Sequence, residues 1–521
     1  MSVAQFAVGR WLSNYSVERK RLLASSAVVT VLALVNGGLS YFVQVVLASH
    51  FGTRREMDAY LIAYALPLLV ATAATDAVAT TFIPIFITHW SKRGKPEAWR
   101  LTNALVTLLF VASVVLACGL GIGARECLTL MAPGMVGASR DLGINLFRLM
   151  LPSIACLVLS GVLTAVNQAM NRFTQPALAP IMNAVTMLIC ILVLAPRMGI
   201  YGVALGTALG ALARLFWLSP VMLEARSAGA YWGWRHVGMN EFWSMTLPLM
   251  LAGLAYKANT VIERFIASWM PEGCIASLGY AYQIVLLLIV LTTQGLGITL
   301  FPRMSHEAES GDLSKLGSTL ASGMRWTLLI ITPIVAGVAV LREPIIRLLF
   351  QRGAFSVSSS HNTALALLGY LGAVYAGGLA NLPSRAFVAV KDVWTGIRIG
   401  LAGVLLLVVL DLVLAAWLGF VGLAVAYSLM SAFTLGLWVR AVSKRFLDFN
   451  GKSVVSAGLA ALTAAVGMTI ACYFLQRLFV NSFPATRIGT ALELGVIGSF
   501  GCGVYLALIA VFFRVKTLGE G

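Results

Sequence analysis

The run Ile397-Arg-Ile-Gly-Leu-Ala-Gly-Val-Leu-Leu-Leu-Val-Val-Leu-Asp-Leu-Val-Leu-Ala-Ala-Trp417 decides the fold class of this chain. Apart from Arg398 and Asp411 it is apolar or glycine throughout. About 20 such residues cover the ~30 Å hydrocarbon core of a bilayer as a helix. In lipid every backbone N–H and C=O must be satisfied within the segment, so a run of this length becomes a helix or joins a closed barrel. A barrel strand would be about half as long and would alternate apolar with polar residues. This run does neither, and it reads as a transmembrane helix.

Thirteen further runs share its character. The spans fall near 27–49, 58–87, 103–124, 143–168, 177–195, 200–223, 242–268, 276–301, 326–349, 362–388, 397–417, 420–440, 454–478 and 489–513. Trp90, Trp99, Trp217, Trp243, Trp269, Trp326, Trp417 and Trp438 lie near their ends, where aromatic side chains mark the membrane interface. The longest connections, about 224–241 and 302–325, are too short for a catalytic domain. With 59% of residues hydrophobic and 11% charged, the composition excludes an ordinary soluble enzyme. The expectation is an all-α polytopic membrane protein of about 14 transmembrane helices.

The formal charge of +17 does not point to nucleic acid, because no basic domain with interleaved aromatics is present. Lys and Arg instead gather in short connections, most densely at Lys92, Arg93, Lys95 and Arg100 and at Arg440, Lys444, Arg445 and Lys452. By the positive-inside rule those connections and both termini are expected in the cytoplasm. Residues 1–26 are basic, lack a signal-peptide cleavage pattern and read as an interfacial segment. The seven cysteines are scattered, with no CxxC pair, and read as small buried side chains.

The chain repeats itself. Gly199-Ile-Tyr-Gly202-Val-Ala204 matches Gly419-Phe-Val-Gly422-Leu-Ala424 at an offset of 220. Phe82-Ile-Pro84 and Phe301-Pro302 stand near an offset of 218, and Ala132-Pro133-Gly134-Met135 and Arg352-Gly353-Ala354-Phe355 near 219. Two six-span halves of the same orientation follow, an architecture used by transporters with a site between the halves. The expected organisation is an N-lobe at 27–224, a linker at 225–241, a C-lobe at 242–442, and two extra spans with the tail at 443–521.

Catalytic and nucleotide chemistry finds no support. Gly451-Lys452-Ser453 looks like the end of a phosphate loop, but Phe446 stands where its first glycine is needed. His50, His89, His236, His306 and His361 are too dispersed in sequence to suggest a metal cluster. What remains is a set of polar and ionisable residues inside spans, where a charge costs roughly 2.5–3.5 kcal/mol on insertion scales. These are Asn36 and Gln44 in span one, Asp58 and Asp76 in span two, Lys257, Asn259, Glu263 and Arg264 in span seven, Gln283 in span eight and Arg385 at the end of span ten. They form the expected substrate cavity. Asp58 has a competing role as a carboxylate at the positive end of its helix. Glu263 and Arg264 read equally as an interfacial ion pair, and Arg385 as a positive-inside anchor. Asp411 and Glu493 read as paired structural charges or as supports of the site. Gly202, Gly206 and Gly210 give small-residue spacing for close helix packing.

Several landmarks together resemble the MurJ/MviN family of the MOP flippase superfamily. They are Phe51-Gly52, Met57-Asp58-Ala59-Tyr60, Leu66-Pro67, Phe82-Ile-Pro84, Ala132-Pro133-Gly134-Met135, Asn171-Arg172-Phe173 and Pro176-Ala177-Leu178-Ala179-Pro180. The second half adds Leu348-Leu349-Phe350-Gln351-Arg352-Gly353-Ala354-Phe355, Arg385-Ala386-Phe387 and Lys391-Asp392. The resemblance implies two six-helix lobes plus two helices, and movement of lipid-linked saccharides from the inner to the outer leaflet of the bacterial inner membrane by alternating access. It also implies arginines in the first, second and eighth spans around the lipid diphosphate. Here 27–49 and 59–87 contain neither Lys nor Arg, and Gln283 stands near the expected eighth-span arginine. Lys257 and Arg264 are the candidate replacements. The expected substrate is therefore a polyprenyl-diphosphate-linked oligosaccharide of a surface or exopolysaccharide, with the peptidoglycan precursor lipid II and a multidrug-type exporter as alternatives. No cofactor is expected; the membrane potential or a Na+ or H+ gradient would drive transport. Expected partners are the lipid-linked glycan, membrane lipids and glycosyltransferases or a polymerase of the same pathway, with no nucleic acid.

Overall fold

A computed structural model describes residues 28–228, 237–446, 448–479 and 486–519. The interfacial segment expected at 1–26 lies outside them. In chain order the helices are α1 (Val28–Phe51), α2 (Arg55–Arg93), α3 (Lys95–Ile122), α4 (Ala124–Met131), α5 (Ala138–Met150) and α6 (Pro152–Ala169). Then come α7 (Thr174–Val193), α8 (Ala195–Met198), α9 (Ile200–Leu218), which continues into a 3₁₀ stretch, α10 (Val237–Lys257) and α11 (Asn259–Ala267). The chain closes with α12 (Cys274–Glu309), α13 (Leu313–Phe350), α14 (Val357–Ala389), α15 (Val393–Leu418), α16 (Phe420–Arg445), α17 (Gly451–Phe479) and α18 (Arg487–Gly519).

Among the described residues thirteen helical segments are long and apolar enough to cross a bilayer. The span expected at 242–268 is divided: α10 ends at Lys257 and α11 begins at Asn259. Neither proline nor glycine stands at this break. The polar run Lys257, Asn259, Glu263 and Arg264 also lowers its hydropathy below that of the other spans. With it, the protein is an all-α polytopic membrane protein of about fourteen spans. The span expected at 397–417 is α15. Leu405, Val409, Leu412 and Val413 are exposed on it while Asp411 is buried, as suits an apolar helix facing lipid with one polar residue turned inward.

The chain forms two compact units. Among the described residues, unit 1 holds those up to Leu47 together with Ala59–Val261, and unit 2 holds Ala48–Asp58 with those from Ile262 onward. The division falls inside the broken span rather than in the 225–241 connection, because α10 packs on α2. The Thr81 and Thr246 hydroxyls meet at 2.7 Å, and the Phe82 and Phe242 rings meet edge to face at 6.2 Å. The helices α17 and α18 pack on α13 and belong to unit 2.

The repeat seen in sequence is present in local conformation. Gly199 and Gly419 adopt φ/ψ of 59/−139° and 61/−144° before α9 and α16. Asn171 and Lys391, also 220 residues apart, both take the left-handed region, at φ 59° and 60°. Each is followed by the same closing bond, Arg172 N–H to Asn167 O at 2.8 Å and Asp392 N–H to Phe387 O at 2.9 Å. These are glycine-like helix ends with the 6→1 bond of a Schellman turn. In unit 1 the glycine stripe works as expected: Gly206 lies against Cys190 and Met187 of α7, and Gly210 against Asn183.

Candidate functional site

The site in unit 1 begins with the antiparallel packing of α2 and α10. Contacts run from Phe82 beside Phe242, through Thr81 with Thr246, to Ala73 beside Gly253. Lys257 is the last residue of α10. A helical side chain leans toward its own N-terminus, and here that direction carries the lysine back along α2. Its Nζ donates to Asp76 Oδ2 at 2.5 Å. The lysine side chain is 34% exposed and the aspartate 69%. An ion pair this open in water would contribute only ~0–1 kcal/mol. At membrane depth the balance changes, since either charge alone costs roughly 2.5–3.5 kcal/mol. The pair removes net charge, yet neither group is enclosed by protein, so both remain open to an incoming polar group.

The other expected residues of unit 1 are not joined to this pair by hydrogen bonds. Asn36 is half-buried on α1 with its Oδ1 unmatched, and Gln44 is half-buried on the same helix. Asn259 opens α11 with its Oδ1 buried and unmatched. Sequence reasoning passed over Arg214, an arginine well inside α9. It is half-buried near Tyr64, and its Nε is buried without a hydrogen-bond partner. The signal was available: one guanidinium in an otherwise apolar span is costly enough to require an account.

Unit 2 arranges its polar residues differently. Tyr370 donates its hydroxyl to Glu263 Oε1 at 3.0 Å. Tyr282, Tyr370 and Tyr427 surround each other at 5.7, 5.8 and 5.9 Å between ring centroids. Asp411 is 1% exposed, interacts electrostatically with Glu263, and has Oδ2 unmatched. Glu263 itself is half-buried, with the Arg264 guanidinium interacting electrostatically with it. Arg264 is half-buried next to Glu263, and Gln283 is half-buried on α12. Arg385 is held in place: Nε donates to Asn381 at 2.9 Å, Nη1 to Gly297 O at 3.3 Å, and the guanidinium lies 5.9 Å from the Phe301 ring.

Asp58 departs from its expected place in the cavity. It is 8% exposed, and both its oxygens are taken, by Gly273 N–H at 2.6 Å and Ala276 N–H at 2.8 Å. Those are orphan donors at the start of α12, so Asp58 caps a helix, though not its own. Around it the chain is knotted tightly. Ala354 N–H bonds to Ser49 O at 2.8 Å, Tyr280 donates to Gly52 O at 3.2 Å, and Thr53 and Ser359 share a 2.7 Å hydroxyl contact. Gly52 packs on Ala354 and Gly353 on Ser49, both glycines at positive φ, where any side chain would collide with backbone. Phe51-Gly52, Asp58 and 352–355, three of the pieces that carry the resemblance, thus make one structural junction.

A multi-spanning helical carrier with a polar pair at a broken helix is the class that this fold and site define. The family model described as "Lipid II flippase MurJ" matches residues 47–488. The chain is 24% identical over 516 residues to a probable lipid II flippase MurJ of Vibrio cholerae, covering 96% of this chain and 98% of that one. It is 24% identical over 461 residues to the lipid II flippase MurJ of Burkholderia cenocepacia, covering 84% and 89%. Among solved structures, an inward closed lipid II flippase MurJ superposes with a TM-score of 0.81 at 21% identity over 94% of this chain and 99% of that one. An inward-facing multidrug resistance MATE transporter of the MOP superfamily superposes at 0.68 with 13% identity, over 80% and 96%. The chain belongs to the MurJ family. It is a multi-pass membrane transporter and not an enzyme.

Proposed function

We propose that the protein flips a polyprenyl-diphosphate-linked oligosaccharide, the repeat unit of a surface or exopolysaccharide, across the bacterial inner membrane by alternating access, with both termini in the cytoplasm. The observation that carries this reading is the Asp76–Lys257 pair, open to an incoming group at the break between α10 and α11. A diphosphate is a stronger anion than the carboxylate it would displace, so Lys257 would pass from Asp76 to the head group. Asn259 and Asn36, both half-buried, would turn their amides toward sugar hydroxyls. Asp76 would then be released as the lipid enters and would recapture Lys257 as it leaves. The driving force would be the membrane potential or an ion gradient, where one charge crossing 100 mV is worth ~2.3 kcal/mol. The Glu263–Asp411 arrangement is the natural place in unit 2 for the coupling proton or cation. Glycosyltransferases or a polymerase of the same pathway would supply and consume the substrate.

Lipid II itself is the second reading, favoured by the full-length likeness to MurJ proteins bearing that name. The absence of Lys and Arg from 59–87 and from α1 weighs against it. Expression in a bacterium depleted of its lipid II flippase separates the two. No rescue is expected, alongside restored surface-glycan assembly in a strain lacking that pathway's flippase; rescue of growth would transfer the assignment to lipid II.

A further inference from the structure

We propose that unit 2 carries a binding site for a zwitterionic phospholipid with a primary ammonium, the chemistry of phosphatidylethanolamine, independent of the transported lipid. A cavity of about 670 Å³ opens among α13, α14 and α17. Its polar lining comes from Arg342, Glu343 and Gln476, and its apolar lining from Ile470, Tyr473 and Phe474 among others. The polar residues lie close to helix ends on one side. Glu343 is seven residues from the end of α13, and Gln476 three from the end of α17. At 1.5 Å per residue these are about 10 Å and 5 Å, the depth of the head-group region, while Ile470 and Phe474 reach toward the acyl chains.

Charge complementarity selects the occupant. Arg342 gives Nη1 to Ala339 O at 2.6 Å, and no carboxylate pairs with its guanidinium among the described residues. A guanidinium in that state calls for an anion with several oxygens, which a phosphodiester supplies. The next residue, Glu343, shares only Oε1 with His361 Nδ1, at 3.3 Å, and its side chain is half exposed. It faces the position that the ammonium of such a lipid would take. The geometry therefore places phosphate on Arg342, ammonium on Glu343 and one acyl chain along Ile470 and Phe474. A purely anionic lipid would meet Glu343 with repulsion, and a choline head could not donate a hydrogen bond to it.

The test is native mass spectrometry of the full-length protein, delipidated and then offered phosphatidylethanolamine, phosphatidylcholine or phosphatidylglycerol. The wild type is expected to retain one phosphatidylethanolamine about ten-fold better than either other lipid, the worth of one charge-assisted hydrogen bond. Arg342→Gln should lower retention of that lipid about ten-fold. Glu343→Gln should abolish the preference over phosphatidylcholine, and Ile470→Trp, which fills the cavity and keeps both charges, should reduce retention of all three. Should Arg342→Gln fail to fold, the selectivity of Glu343→Gln still decides. Equal retention of the three lipids by wild type, or an unchanged preference in Glu343→Gln, overturns the site. Neither result touches transport through Lys257.

Discussion

Two aspartates stand eighteen residues apart on α2 and lead opposite lives. Asp58 is buried with two backbone N–H groups on its oxygens, in a junction where Gly52 and Gly353 make room for crossing chains. Asp76 is 69% exposed and held by one flexible lysine. The first is over-determined and immobile, the second compensated and replaceable. Phe51-Gly52 and 352–355, two of the stretches that carry the family resemblance, lie around the first. On the proposed reading the first place serves architecture and the second the cargo, so substitutions at the two places should fail in different ways.

The largest effect on stability is expected at the junction. Asp58→Ala leaves two buried N–H groups unmatched, a loss of about 2–5 kcal/mol, and should lower the thermal unfolding midpoint in detergent sharply. Asp58→Asn, which keeps one acceptor, should fall between that variant and wild type. If both unfold like wild type, the junction is not what holds Ala48–Asp58 to unit 2. A smaller loss, about 1–2 kcal/mol, is expected for Tyr370→Phe, which strips Glu263 of its hydroxyl; no change in midpoint there would mean that water already serves that carboxylate. Asp76→Ala should shift stability by no more than about 1 kcal/mol, as for an open ion pair, and a drop as large as that of Asp58→Ala would erase the contrast between the two aspartates. The smallest effect belongs to Asp392. The Thr395 hydroxyl and N–H, with Arg445 nearby, hold its carboxyl below the usual carboxylate range. A depressed value means stability that is present above the unfolded-state pKa and lost as the pH falls through the folded-state one, so the loss lies below about pH 4. Asp392→Asn should flatten that acid limb, and an unchanged limb would show that the cap at the start of α15 carries no pH dependence.

Much of the fold was legible because a bilayer writes it in length and hydropathy. The span at 397–417 needed no tertiary information, and the 220-residue repeat reappears in the matched turns at Asn171 and Lys391. The break at Ala258 was not legible, since no proline or glycine marks it. The role of Asp58 was half visible: a carboxylate beside a helix start reads as a cap, but the helix it caps begins at Cys274, two hundred residues away, and only packing brings them together. The pairing of Asp76 with Lys257 depends likewise on the register of α2 against α10, which neither helix encodes alone. Arg214 was visible as an arginine in an apolar span. Its half-buried place beside Tyr64 was not.

The central claim is that Lys257 serves the cargo and Asp76 keeps its place. It is tested by measuring transport of a polyprenyl-diphosphate-linked saccharide into proteoliposomes by Lys257→Ala, Asp76→Ala and the double variant at matched protein amounts. The account predicts that Asp76→Ala keeps substantial transport while Lys257→Ala and the double variant are both inactive. Restored transport in the double variant would show that the pair only balances charge, and would contradict it.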